Sequence, residues 1–383
     1  MVIRTITGAL SALMLAASLS AQAQVKIGVI TSATGQIAFV GIPQKNTVAL
    51  LPKTMGNASV EYIYYNDASD STQSAQLTKK LLTEDHIDAL IGPSGSPNAM
   101  GVLQFMAEAQ TPMLAPVGTT AVVLPMDDRK RWVFKPSQND DLIGEALVEH
   151  MVRSKVKTVA FIGYNDPYGE SWFKAMAPLL QKAGIQLVAN ERYNRQDTSV
   201  VGPVAKVMAP KPDAVFIAGV TAGAALPQMQ LTDAGYKGRI YQTHGAASQD
   251  FIKIGGKKVE GTILAASLML VLDEIPDSVP SKKMAKEYIS AYEKMYGSVP
   301  ATFGANVYDA GLLLQRAVPE AMKKAKPGTP AFRAALRDAL EATKELVATQ
   351  GVYNMTPADH SGFDQRGRVL VTVKDGKFTL LRE

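Results

Sequence analysis

Short apolar runs rich in β-branched residues recur along this chain, and most are followed by a polar loop and then by a segment with helical periodicity. The first is Val25-Lys26-Ile27-Gly28-Val29-Ile30, with a helical segment expected from about Ile42 to Thr54. The unit recurs as Val60 to Tyr65 before Ser71 to Glu84, as Ala89-Leu90-Ile91 before Pro97 to Ala109, and as Met113-Leu114-Ala115 before a loop. Strands that alternate with helices in this way build a parallel sheet covered by helices on both faces.

After Lys135-Pro136-Ser137 the pattern restarts. A helix is expected from about Asp140 to Ser154, then strand Thr158 to Ile162, helix Pro167 to Ala183 and strand Gln186 to Asn190. A helix around Ser199 to Met208, strand Ala214 to Ala218, helix Ala222 to Ala234 and strand Arg239 to Gln242 follow. The last third offers a strand near Thr262 to Ser267 and amphipathic segments Ser281 to Tyr296, Gly304 to Ala325 and Pro330 to Thr343. Strands Val369 to Val373 and Phe378 to Leu381 close the chain around Asp375-Gly376, a hairpin turn signal. The fold class is α/β, with two doubly wound lobes facing each other across a cleft. The 46% hydrophobic content supports two sizeable cores in 383 residues.

The amino terminus carries an address. Arg4 precedes an apolar run, Ile6 to Leu19, that leads into Ala21-Gln22-Ala23. That is the pattern of a secretory leader with a small-x-small cleavage site, which sets residues 1–23 apart as a signal peptide and starts the mature chain near Gln24. The run is shorter than the roughly 18 to 20 residues that span a bilayer. The sequence contains no cysteine, so it holds neither a disulfide framework nor a residue to carry a lipid anchor. A free protein of the Gram-negative periplasm is expected. The net charge of +5 is dispersed, and its densest groups, such as Arg129-Lys130-Arg131, sit beside acidic or polar residues. A solvated surface, not a nucleic-acid footprint, is the expectation.

Ligands of such sheets bind at the carboxyl ends of strands. That rule directs attention to loops Thr31 to Gly41, Gly92 to Ala99, Ala115 to Ala121 and Tyr241 to Gln249. In Gly92-Pro93-Ser94-Gly95-Ser96-Pro97-Asn98, Ser96 reads as the N-cap and Pro97 as the first residue of the next helix. Backbone amides, the Ser94 and Ser96 hydroxyls and the helix dipole would form an uncharged anion site there, although a routine cap reads the same way. Val117-Gly118-Thr119-Thr120 places a second polar loop beside it and tips the balance toward carboxylate recognition.

These pieces carry a resemblance that spans the mature chain. Lys26-Ile27-Gly28-Val29 with Thr34-Gly35, Ile91-Gly92-Pro93 with its serines, and Ala115-Pro116-Val117-Gly118-Thr119-Thr120 resemble type I periplasmic binding proteins of the leucine/isoleucine/valine-binding group. Tyr164-Asn165-Asp166-Pro167-Tyr168-Gly169, Leu231-Thr232-Asp233-Ala234-Gly235, Gly351-Val352-Tyr353 and Phe363-Asp364 extend it in the same order. The resemblance implies that Ser96, Val117 and Thr119 hold a ligand carboxylate and that Tyr168 approaches from the other lobe. It implies lobes of residues 24–138 plus 268–350 and 139–267 plus 351–383, with three crossings. A monomer that closes on its ligand is expected; the resemblance implies that a membrane permease with a cytoplasmic ATPase recognises the closed form, and a receptor domain that reads it is the alternative.

One departure bears on the ligand. The amino-acid binders place an acidic residue after the strand equivalent to Arg239 to Gln242, where it meets the ligand's ammonium; this chain reads Thr243-His244-Gly245-Ala246-Ala247. A buried ammonium without an anionic partner costs several kcal/mol. An acid lacking that group is therefore expected, an aromatic or 2-oxo acid, with His244 hydrogen-bonding or charged beside it and Phe39, Tyr168 and Tyr164 walling its body. Branched-chain or other amino acids are the alternative, with a carboxylate such as Asp166 supplying the charge. A periplasmic hydrolase is a third reading, but Gly92-Pro93-Ser94-Gly95-Ser96 does not complete a nucleophile elbow, and His86, His150, His244 and His360 lack the spacing of a helical metal site. No cofactor and no metal are expected.

Overall fold

The computed structural model describes residues 23–382. The leader expected over residues 1–23 lies, but for Ala23, outside the described residues.

Six strands form the first sheet: β1 (Gln24–Thr31), β2 (Thr54–Met55), β3 (Ala58–Asn66), β4 (Ala89–Ile91), β5 (Met113–Leu114) and β6 (Val133–Phe134). Their order is β2-β3-β1-β4-β5-β6, parallel except where β2 pairs with β3. As a central strand covered on both faces, β1 buries Val25, Ile27, Val29 and Ile30, which is why it reads as a nearly continuous apolar run. β6 was not among the expected strands: two residues long, it has too little periodicity to be seen without its partner β5.

The second sheet begins with β7 (Thr158–Tyr164), β8 (Gln186–Tyr193), β9 (Ala214–Ala218), β10 (Arg239–Gln242) and β11 (Ile263–Ala266). After a short ribbon of β12 (Leu346–Val347) and β13 (Val352–Tyr353), the terminal hairpin of β14 (Val369–Lys374) and β15 (Lys377–Leu380) joins it antiparallel. The order is β15-β14-β11-β10-β9-β7-β8. Asp375 and Gly376 both take positive φ, 52° and 70°, as a tight hairpin turn requires.

Packing divides the remaining chain. Helices Thr302–Met322 and Pro330–Glu341 bury Leu313, Leu314, Phe332 and Leu336 against β1, β4 and β5 of the first sheet. Tyr353, Met355 and, partly buried, Phe363 join the same core, whereas Val371, Val373 and Phe378 pack against Leu264 and Ala266 of the second sheet. The first connection between the sheets runs through Lys135 to Asn139. Lys135 is fully buried there, its ammonium bonded to the carbonyls of Ser137, at 3.2 Å, and Gln138. Burial pushes its pKa down to about 8 and pushes that of nearby buried Asp140 up to about 6.

One helix boundary differs from the expectation. The helix expected from Ile42 to Thr54 spans Ala38–Val48, with Pro43 inside it. Proline removes one i→i−4 bond, but Val40, Pro43, Gln44 and Thr47 are buried, so packing outweighs the lost bond.

Candidate functional site

The carboxyl ends of the two sheets face each other, and the loops after β1, β4, β5, β7, β8 and β10 enclose a cavity between them. On the first-sheet side, β4 leads through residues 92–95 into helix Ser96–Glu108. The N-cap is Gly95, not Ser96 as expected; Ser96 is the first helical residue, and its hydroxyl makes no capping bond. A side chain at 95 would meet Asn98 Oδ1 at 2.4 Å, so the chain turns there on glycine. Ser96 is therefore buried at the cavity wall with its hydroxyl uncommitted among the described residues, beside first-turn amides that have no intrahelical acceptor.

Ser94 also lines the cavity, but its hydroxyl is spent. It donates to Gln44 Oε1 at 2.5 Å and accepts from the Ser32 amide at 3.0 Å, while Gln44 Nε2 donates to the Pro116 carbonyl at 3.0 Å. Ser94 thus ties three loops together, whereas the Ser96 hydroxyl stays free among the described residues. Buried Asp67 has the same structural function, accepting from Ser32 Oγ (2.6 Å), Ser74 Oγ (2.7 Å) and Asn98 Nδ2 (3.0 Å).

In the second loop Val117 and Gly118 line the cavity. The Val117 amide donates to Ala115 and its carbonyl accepts from Ser137, which leaves the Gly118 amide as the uncommitted donor there among the described residues. Thr119 is buried but does not line the cavity: its hydroxyl accepts from Ala121 at 3.2 Å and donates to the Pro167 carbonyl at 3.3 Å. Phe39 is likewise off the wall. Ile37, Val40 and Gln44 follow one helical face at i, i+3 and i+7, and Ile37 and Val40 supply the apolar surface together with Phe303.

From the second sheet, Tyr168 and His244 close the cavity. Tyr168 is the second residue of helix Pro167–Lys182, whose N-cap Asp166 accepts from the amides of Tyr168 (2.8 Å) and Gly169 (3.2 Å). Its buried hydroxyl pairs with Thr243 Oγ1 at 2.7 Å, and burial raises its pKa. Tyr164, expected as a wall, is buried behind it, with its ring centroid 6.3 Å from that of Tyr168. His244 follows β10 and packs its ring on Trp172 at 5.4 Å. The residue keeps some surface on the cavity, yet both ring nitrogens are buried without a hydrogen-bond partner. Burial, reinforced by the positive charge of Lys135, pushes its pKa down to about 3. Of the two forms expected for His244, this favours the neutral imidazole at neutral pH.

Arg195, in the loop after β8, is a wall residue that the sequence reading missed. Its Nε donates to Asp166 Oδ2 at 2.5 Å, and its guanidinium lies over the Tyr164 ring at 4.2 Å. The signal was present, since β8 is itself a parallel strand whose carboxyl end faces the cleft. Asp166 is consumed as cap and ion-pair partner, so it is not the free carboxylate an ammonium would need.

A family model described as periplasmic binding protein matches residues 24–377. The chain belongs to this family, in its leucine/isoleucine/valine-binding group. A Leu/Ile/Val-binding protein of Rhizobium johnstonii is 25% identical over 92% of each chain. The crystal structure of an extracellular ligand-binding receptor from Rhodopseudomonas palustris HaA2 superposes with a TM-score of 0.90 at 43% identity, covering 94% of this chain and 100% of that one. A leucine binding protein from Thermotoga maritima MSB8 shares the fold, with a TM-score of 0.79 at 22% identity over 94% of this chain and 98% of that one. The cleft of this periplasmic binding protein is equipped to bind, with a hydroxyl, free amides and a guanidinium converging on apolar walls.

Proposed function

We propose that this periplasmic binding protein captures a small carboxylate between its lobes and delivers it, as a monomer of the periplasm, to an ABC-type permease. The observation that carries this reading is the convergence of the Ser96 hydroxyl, the amides around it and the Gly118 amide on one apolar-walled cavity. One lobe comprises the first sheet with the helices over residues 302–341; the other comprises the second sheet with the terminal hairpin. The packing of Phe363 with the first core and of Val371 with the second supports a last crossing between Phe363 and Val369, later than residue 350, beside the crossings near 138 and 268 that the resemblance implies.

Two ligand classes follow from two different observations. The curated relatives' names favour branched-chain amino acids. The site favours an acid without an ammonium group, aromatic or 2-oxo. Among the described residues that line the cavity none carries a carboxylate, and His244 offers two unpartnered nitrogens where the amino-acid binders hold an acid. Leaving a buried ammonium unpaired costs several kcal/mol.

Matched pairs separate them. Mature protein, stripped of bound ligand by partial unfolding and dialysis, is titrated with leucine against 4-methyl-2-oxopentanoate and with phenylalanine against phenylpyruvate, reading the melting temperature. A ligand that binds only the folded state raises it. Stabilisation by the oxo acids supports the site-based reading, and stabilisation by leucine supports that of the relatives. Absence of a shift with all four acids and with benzoate as well would count against carboxylate capture altogether.

A further inference from the structure

Arg195 stands where the character of the cleft changes. On one side, between it and the Ser96 and Gly118 loops, the walls are Ile37, Val40, Val220, Phe303 and Tyr168. On the other, a second cavity that shares Arg195, Ile37 and Gly95 opens among the amides of Gln36, Asn165, Asn194 and Gln196. Among the described residues lining the first cavity, Arg195 is the one that carries a charge.

Its guanidinium is also held in a fixed pose with donors to spare. The ion pair with Asp166 uses Nε, and the Tyr164 ring supports its face; neither Nη atom has a hydrogen-bond partner among the described residues. Asp166 is in turn fixed by the amides of the helix it caps, so the guanidinium is oriented by groups that do not move with the ligand. A planar pair of donors presented in this way matches the two acceptors of an oxyanion.

We propose that Arg195 is a specificity-determining residue that binds a second oxygen-bearing group of the ligand, so that the preferred ligand has two polar ends: a carboxylate at Ser96 and Gly118, and a further carboxylate at Arg195. The apolar walls between them take a short hydrocarbon or aromatic body. This rests on the carboxylate-binding reading of the cleft and narrows it to dicarboxylic or similarly two-ended acids.

Affinities are measured by calorimetry for two pairs of acids that differ in the second end alone, 2-oxopentanoate against 2-oxoglutarate and benzoate against terephthalate. Wild type, Arg195→Lys and Arg195→Met are compared, with melting temperatures recorded for each. Wild type should favour the two-ended member of at least one pair tenfold or more. Arg195→Lys retains a cation for Asp166 but lacks the planar fork, and should cut that preference to threefold or less; Arg195→Met should abolish it, the two-ended member of each pair losing at least tenfold more affinity than the single-ended one. Equal losses for both members of each pair would mean that Arg195 meets the sole carboxylate or merely supports the fold, and would overturn the proposal. Binding of single-ended acids by wild type without preference overturns it while leaving carboxylate capture intact. Binding of none of the four acids removes both readings.

Discussion

Ser94 and Ser96 are two positions apart in one loop and look equivalent in the sequence, yet one is a tie between loops and the other an open donor. The difference is Gln44, a residue fifty positions away whose side-chain oxygen accepts the Ser94 hydrogen bond. His244 shows the same dependence on surroundings. An exposed histidine titrates near 6.5; here burial holds it neutral down to about pH 3. Between those values the unfolded chain binds a proton that the folded protein does not, so stability falls as pH falls through that window. At pH 5 this one residue costs about 2 kcal/mol relative to pH 7. Urea unfolding at the two pH values should therefore show His244→Gln losing about 2 kcal/mol less than wild type on acidification. An equal loss would mean that the imidazole titrates freely in the folded protein.

At the scale of elements, helix Pro167–Lys182 depends on its first residues. Asp166 caps it through Oδ1 and holds Arg195 through Oδ2, so a single carboxylate sets both the direction of Tyr168 and the pose of the guanidinium. Asp166→Ala should lower stability by about 1–2 kcal/mol, most of it from the cap, because the ion pair is partly solvated. Asp166→Asn keeps a capping oxygen and should lose less than half as much; thermal unfolding of the two variants side by side checks this. Capping and turn chemistry are local, and this is where the sequence was most readable. Pro167 at the helix start and Asp375-Gly376 in the hairpin lie where residue types place them. The errors are also physical. Gly95 took the cap assigned to Ser96 because Asn98 crowds that position, and the first helix ran through Pro43 because the buried face of the helix outweighed one missing bond.

For the whole molecule, the proposed capture depends on two lobes meeting. Gly118, from the first-sheet side, lies so close to the second-sheet wall that an added Cβ would sit 2.5 Å from Tyr168 Cε2 and 3.2 Å from His244 Nε2. Its φ is not in the left-handed region, so glycine is needed at 118 for the approach of the lobes and not for backbone conformation. Gly118→Ala should fold as wild type does, yet fail to close. In small-angle scattering the ligand-induced decrease in radius of gyration should be absent, and affinity should drop at least tenfold, about 1.4 kcal/mol. Unchanged compaction would show that the loops separate readily enough to admit the methyl group. The alternation of strands and helices, the order of the loops and the terminal hairpin followed from the chain alone, because backbone pairing and hydrophobic period act over a few residues. The cavity wall did not: which hydroxyl is free, which face of the first helix looks inward and where Arg195 points are decided by groups that are distant in sequence and become neighbours only when the two sheets pack end to end.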